Sequence, residues 1–273
     1  MWEMPAAKSG TSYISGSFKD GSKRNYSYLY DKSMFTSLWI AYPLDPSTCT
    51  GSAKRSGTWT ATPGIVSSDQ INVWSSSYDV YYGNTVFSDP FSTDGHEYYG
   101  RGHQIPDADR QYNETMVNQT YYAINSTPQI QYGFNGGIWN QLEQAVRTIV
   151  TETGETIYIA TGAAFQKVGE TKEVTWILPA GEGSNGKRCP VPNYYWKAVL
   201  RIQFNEDGSI AKAKTIGFWF EHKPYSNSSY VNYAVSVNQL ETWTGFDLFE
   251  NLPSDIEDSV EGISDWNSFR NQF

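Results

Sequence analysis

The residues FNGGIWNQLEQAVRTIVTETG, positions 134–154, carry the one strong helical period in this chain, and they carry it between segments that read as strands. Ile138, Leu142, Val146, Ile149 and Val150 recur at three- and four-residue steps, which places them on one helix face, and Gly154 supplies the stop. Asn135 stands at the expected start, where a short polar side chain caps free N–H groups. Glu143 and Arg147 lie one turn apart on the opposite face. Before this helix, TSLWIAYPL (36–44), QINVWS (70–75) and QTYYAIN (119–125) have strand character. After it come TIYIATGAAF, VTWILPA, YYWKAVLRIQF and AKTIGFWFE, separated by Gly, Asn-Gly and Asp-Gly turn signals. A second helix, SVNQLETWTG, has Ser236 and Gln239 at capping-box spacing. Strands, helix, strands, helix is the order of an α+β domain with a central, mainly antiparallel sheet flanked by helices.

A chain of 273 residues has room for one large core. The expected division is an N-terminal arm or short edge strands over 1–24 and a single domain over 25–273, ending in an acidic segment. Aromatic residues make up 16% of the chain, which excludes a disordered polymer and favours a strand-rich body. No apolar run reaches the roughly 18 residues of a membrane span, so no membrane partner is expected. The Tyr, Trp, Ser, Thr, Asn and Gly content is common in secreted proteins, and a secreted or periplasmic location is the expectation, with any export segment removed. Cys49 and Cys189 both lie in Gly/Ser/Pro-rich stretches and suit either a loop-to-loop disulfide or two buried free thiols.

The net charge of −9 argues against a protein that grips nucleic acid through a broad basic surface. From Gln239 onward there are eight acids and one base, so that tail holds most of the negative charge. The rest is nearly neutral, which leaves space for a local cationic site and implies a shallow salt dependence of any nucleic-acid binding.

One segment, RGHQIPDADR (101–110), places a histidine among arginines and aspartates about thirty residues ahead of the helix. Taken alone, His103 is a solvent-exposed loop histidine, Asn135 an ordinary helix cap, and Glu143/Arg147 a surface pair worth a few tenths of a kcal/mol. Together with NSTPQIQYGFNGGIWNQLEQAVR, the segment resembles the paired signature of the nonspecific DNA/RNA endonucleases, which include extracellular bacterial nucleases and mitochondrial endonuclease G. WIAYPL, RSGTW, IYIATGAAF, VPNYYWKAVL and LETWTGFDLFENLP fit in the same order, so the likeness runs from about residue 25 to 253.

The resemblance implies a ββα-metal (His-Me finger) nuclease fold and Mg²⁺-dependent cleavage of DNA and RNA, with Mn²⁺ or another divalent cation as a substitute, leaving 5′-phosphate and 3′-hydroxyl ends. It implies that His103 is the general base, Asn135 the direct metal ligand, and Glu143 a ligand through water that orients a proton donor to the leaving oxygen. Arg147 and Arg101 would face the scissile phosphate, and Arg55, Asn125 and Arg110 would contact substrate, Asn125 alternatively holding the site together. DNA and RNA are the expected partners, with no protein partner. His96 and His222 have no such company. The family pattern has Asp immediately before RGH, where this chain has Gly100, and that departure places the support of the site in question. Two other readings compete: a nuclease fold without activity, and a non-enzymatic secreted binding module whose Tyr and Trp stack on glycans.

Overall fold

The computed structural model describes residues 1–73, 78, 80–86 and 96–273. The chain opens with β1 (Tyr13–Asp20), β2 (Lys23–Asp31) and β3 (Thr36–Leu44), followed by the single turn α1 (Pro46–Cys49). A second group, β4 (Val80–Val86), β5 (His96–His103), α2 (Glu114–Gln119) and β6 (Ser126–Ile130), leads into a π-helical stretch, Gln131–Trp139, continuous with α3 (Asn140–Thr153). Then come β7 (Ile157–Ala164), β8 (Thr175–Ile177), β9 (Cys189–Val191), β10 (Tyr194–Phe204), β11 (Ile210–Glu221) and β12 (Ala234–Val235). Three short helices finish the chain: α4 (Val237–Thr244), α5 (Ser254–Val260) and α6 (Trp266–Arg270).

The main sheet has seven strands in the order β1-β2-β3-β7-β10-β11-β12, and every neighbouring pair is antiparallel. β1, inside the expected arm, is therefore an edge strand of this sheet. Because successive side chains alternate across a strand, each central strand feeds two cores. Ile40, Tyr42, Ile157, Ile159, Tyr195 and Val199 pack on one face with Leu142, Val146, Ile149 and Val150 of α3. Trp39, Ala41, Ala160, Trp196, Ala198 and Leu200 pack on the other with Val237 and Leu240 of α4. Each fully buried aliphatic side chain stabilises the fold by about 1.5–3 kcal/mol, so both layers are firmly held. Ser236 caps α4 by accepting from the Gln239 N–H, and Gly154 ends α3 at a φ of +74°.

Sequence periodicity misplaces two local features. Residues 119–125, expected as a strand, form the end of α2 and a tight turn, because the Asn125 amide donates to Thr120 O and Ile105 O and folds the chain back. Residues 70–73 of the expected strand 70–75 are not strand: the Gln70 side chain instead bonds Thr62 N and Ile65 O and closes a loop, while 74 and 75 lie outside the described residues. The cysteines are free and buried, the second of the two alternatives. The aromatic side chains mostly fill the cores; among the described residues the exposed large aromatic ones are Tyr112, Trp176 and Phe204. Among the described residues no helix is long and apolar enough to cross a membrane.

Candidate active site

β5 and β6 pair with His103 opposite Ser126 and Gly100 opposite Gln129, and the chain then turns directly into the π-helical stretch. Strand, strand and helix thus carry Arg101, His103, Asn135, Glu143 and Arg147 on adjoining elements. The entry to the helix is fixed by the buried carboxylate of Glu97, which accepts from Tyr132 N at 3.0 Å and Gly133 N at 3.2 Å.

His103 is the last residue of β5 and is half-buried, so the exposed-loop reading fails. Its ring lies 4.7 Å from that of Trp59 and 4.8 Å, edge-on, from that of Tyr121. Nε2 is buried and has no hydrogen-bond partner. Burial, reinforced by Arg55 and Arg101 and opposed by Asp107, pushes the imidazole down to about 4. The ring is therefore neutral at pH 7 with a free acceptor. Tyr121 is held in turn by donating to Asp107 Oδ2 at 2.6 Å, and the guanidinium of exposed Arg55 lies 4.7 Å over its ring. Arg101 is half-buried and donates to Val73 O at 2.9 Å. Beside Trp59 an open groove of about 500 Å³ is lined by Ser56, Thr58, Asn118 and Tyr122.

Asn135 is not a helix cap, since helical turns both precede and follow it. Its Nδ2 donates to Gln131 Oε1 at 3.3 Å, which turns the carbonyl oxygen the other way. Gly100 makes this possible. A Cβ there would stand 1.9 Å from Gln131 Oε1, so the absent side chain is the space that Gln131 occupies. The chain fills the position next to RGH from across the strand pair, with an amide in place of a carboxylate.

Glu143 is not half of a surface pair. Its Oε1 is buried without a hydrogen-bond partner, while Arg147 donates through Nε to Asp109 Oδ1 at 2.9 Å. Asp109 also accepts from the Tyr42 hydroxyl at 2.9 Å, and its charge holds the Arg147 guanidinium above its usual range against burial. Burial pushes the Glu143 carboxyl up to about 8, with Lys197 and Arg147 opposing and Asp109 and Asp107 adding to the rise. Lys197, in the middle of β10, is 1% exposed; its Nζ has no hydrogen-bond partner and sits 4.9 Å over the Trp139 ring. Sequence reasoning missed this residue, although a lysine within the apolar run YYWKAVL was the available signal.

Two expected substrate contacts are buried, and for Asn125 the alternative role of holding the site together matches its bonds. Arg110 is fully buried, donating to Asp109 O, Thr48 Oγ1 and Pro43 O and lying 4.5 Å over the Tyr42 ring, so no donor of its fork faces a ligand. Asn125 is also fully buried, and its Oδ1 accepts from Gln104 N and Ile105 N immediately after His103. It clamps the loop that carries the imidazole rather than reaching for substrate. His222 pins β6 by accepting from Ile130 N at 2.9 Å through Nε2, with Nδ1 donating to Pro192 O.

The amide carbonyl of Asn135 and the unpartnered carboxylate oxygen of Glu143 are hard oxygen donors and fit Mg²⁺, which takes few protein ligands. Away from this site, Glu241, Glu257 and Glu261 form a second set of carboxylates that could coordinate a divalent metal.

A family model described as DNA/RNA non-specific endonuclease matches residues 9–255. The chain belongs to that family. A Nostoc nuclease is 27% identical over 250 residues, covering 89% of this chain and 77% of the relative. The mitochondrial Nuclease 1 of Schizosaccharomyces pombe is 29% identical over 157 residues, 57% of this chain, and the match spans only about half (47%) of that relative. The structure of EndoG in the EndoG/EndoGI complex superposes with a TM-score of 0.64 at 18% identity, covering 90% of this chain and 91% of that one. The fold is thus the α+β, ββα-metal nuclease fold, and membership of the family supports a nuclease function in general terms. That EndoG structure addresses EndoG inhibition, so the expectation of no protein partner is corrected: a relative with this fold is captured with an inhibitor protein.

Proposed function

We propose that the chain is a Mg²⁺-dependent endonuclease that hydrolyses phosphodiester bonds of DNA and RNA with little sequence preference. The observation that carries this reading is the buried, unpartnered Nε2 of a neutral His103 between Arg55 and Arg101, a base with nothing in the protein to bind. His103 takes a proton from the water that attacks phosphorus. Arg101, Arg147 and Arg55 present guanidinium groups to the phosphate oxygens, Arg147 held in position by Asp109. Asn135 and Glu143 are the residues that would hold Mg²⁺ or Mn²⁺. When bound, the ion supplies positive charge that stabilises the phosphorane. The P–O3′ bond breaks, leaving a 5′-phosphate, and Glu143 orders the water that returns a proton to the 3′-oxygen.

Plasmid DNA and RNA incubated with the purified protein should be degraded with Mg²⁺ and remain intact with EDTA. His103→Ala should lose at least about 10²-fold in rate with an unchanged melting temperature. Intact substrates with wild-type protein and metal would sink the enzymatic reading and leave the inactive-fold alternative.

A further inference from the structure

The acidic C-terminal part of the chain contains an arrangement that the catalytic reading does not use. Glu241 lies on α4, while Glu257 on α5 and Glu261 at its end stand four residues apart on one helix face. One carboxylate oxygen from each lies within 4.8 Å of the other two. Glu261 is the informative member. It is 2% exposed and its Oε1 is buried without a hydrogen-bond partner, and its carboxylate sits beside those of the two half-buried glutamates. The neighbours are held in place: Glu241 Oε1 accepts from Leu248 N at 2.7 Å, and the Glu261 carbonyl accepts from Asn238 N at 3.2 Å.

The charges acting on Glu261 beyond the other two glutamates are Asp247 and Asp258, again acids. Among the described residues no Lys or Arg forms an ion pair with any of the three. A buried carboxylate facing two more must either keep its proton or meet a cation. Without a cation, burial and these neighbours push Glu261 up to about 9 and Glu241 up to about 7.

We propose that Glu241, Glu257 and Glu261 bind one Ca²⁺ ion and that this ion clamps α5 to α4. The donors are all hard oxygens, which disfavours zinc and copper. Opposed ligands around Ca²⁺ stand roughly 4.6–5.2 Å apart, against about 4.2 Å around Mg²⁺, and Mg²⁺ gives up its waters reluctantly. Carboxylate oxygens that all lie within 4.8 Å of one another fit inside the coordination sphere of the larger ion. The site is separate from the catalytic one, since α4 packs on the face of the sheet opposite α3.

The test uses the full chain carrying Asn135→Ala, which removes the direct metal ligand of the proposed active site, stripped with EDTA. Calorimetric titration with CaCl₂ should give one equivalent bound with release of protons. Thermal melting should rise by several degrees in millimolar CaCl₂, and by less in equal MgCl₂. Tb³⁺ should give luminescence sensitised by Trp243, two residues from Glu241 on α4. Glu261→Gln and, at the more accessible position, Glu257→Gln should each abolish the calcium shift while melting in EDTA no lower than the parent. No calcium response in the parent, or one that survives in both variants, would overturn the proposal. Either result leaves the nuclease reading untouched, because nothing measured depends on turnover.

Discussion

Lys197 keeps a cation near Glu143 with no hydrogen bond to justify its burial, and the cost is offset through the carboxylates of Glu143 and Asp109 and the face of the Trp139 ring. Burial drives its ammonium pKa down, and Glu143 and Asp109 oppose that shift. Methionine has a similar shape without the charge, but removing one partner of a buried charge cluster leaves Glu143 uncompensated unless it takes up a proton. Lys197→Met should therefore melt lower than wild type, less so at low pH where Glu143 is protonated, and lose activity near pH 7 by about tenfold, the scale of one pKa unit at Glu143. Parallel measurement of kcat/KM and melting temperature checks this. Retained rate would show that Lys197 fills space and nothing else.

At the scale of elements, the decisive one is the π-helical stretch. The period of α3 was legible from Ile138 onward because four of its apolar side chains reach one core. The preceding turns were not, since they depend on the Glu97 carboxylate more than thirty residues upstream, a long-range bond with no local signature. The same limit applied at Asn125 and Arg110. Polar residues beside a motif look available for ligand in sequence, and only packing reveals that their donors are already engaged. His103, Asn135, Glu143 and Arg147 stand out in the sequence only through the family resemblance that their motifs carry, and of the residues beside them Asp109 and Lys197 come from other elements, while Gln131 lies four residues before Asn135. Gly100→Ala tests one such partnership. The clash falls on the far end of the flexible Gln131 side chain, so the fold should survive within about 1 kcal/mol, in keeping with a residue-level change in a strand. Gln131 must then leave Asn135, and Mn²⁺ affinity read by electron paramagnetic resonance should weaken several-fold. Gln131→Ala should reproduce the loss without the clash, and unchanged affinity in both would remove Gln131 from the site.

Across the whole molecule, burial shifts histidines and glutamates in opposite directions, and the pH dependence of stability follows from the signs. His103 and His222 are lowered to about 4 and about 3, so their contribution is complete above their unfolded value of 6.5 and is lost as pH falls through the folded ones. Glu143, Glu241 and Glu261, raised from 4.5 to about 8, about 7 and about 9, contribute fully below 4.5 and lose that contribution as pH rises through those values. In EDTA the melting temperature should therefore fall between pH 6.5 and 9.5, where the histidine contribution is constant. Glu261→Gln should flatten the decline, and a flat wild-type profile would show that these carboxyls ionise freely in the fold.

The central sheet that divides the two cores also divides the charge. His103 and its arginines lie on the side of α3, and the carboxylates of α4 and α5 lie on the other. A polyanion is drawn to the side that carries the arginines, so the molecule has an electrical front and back that turn it before contact.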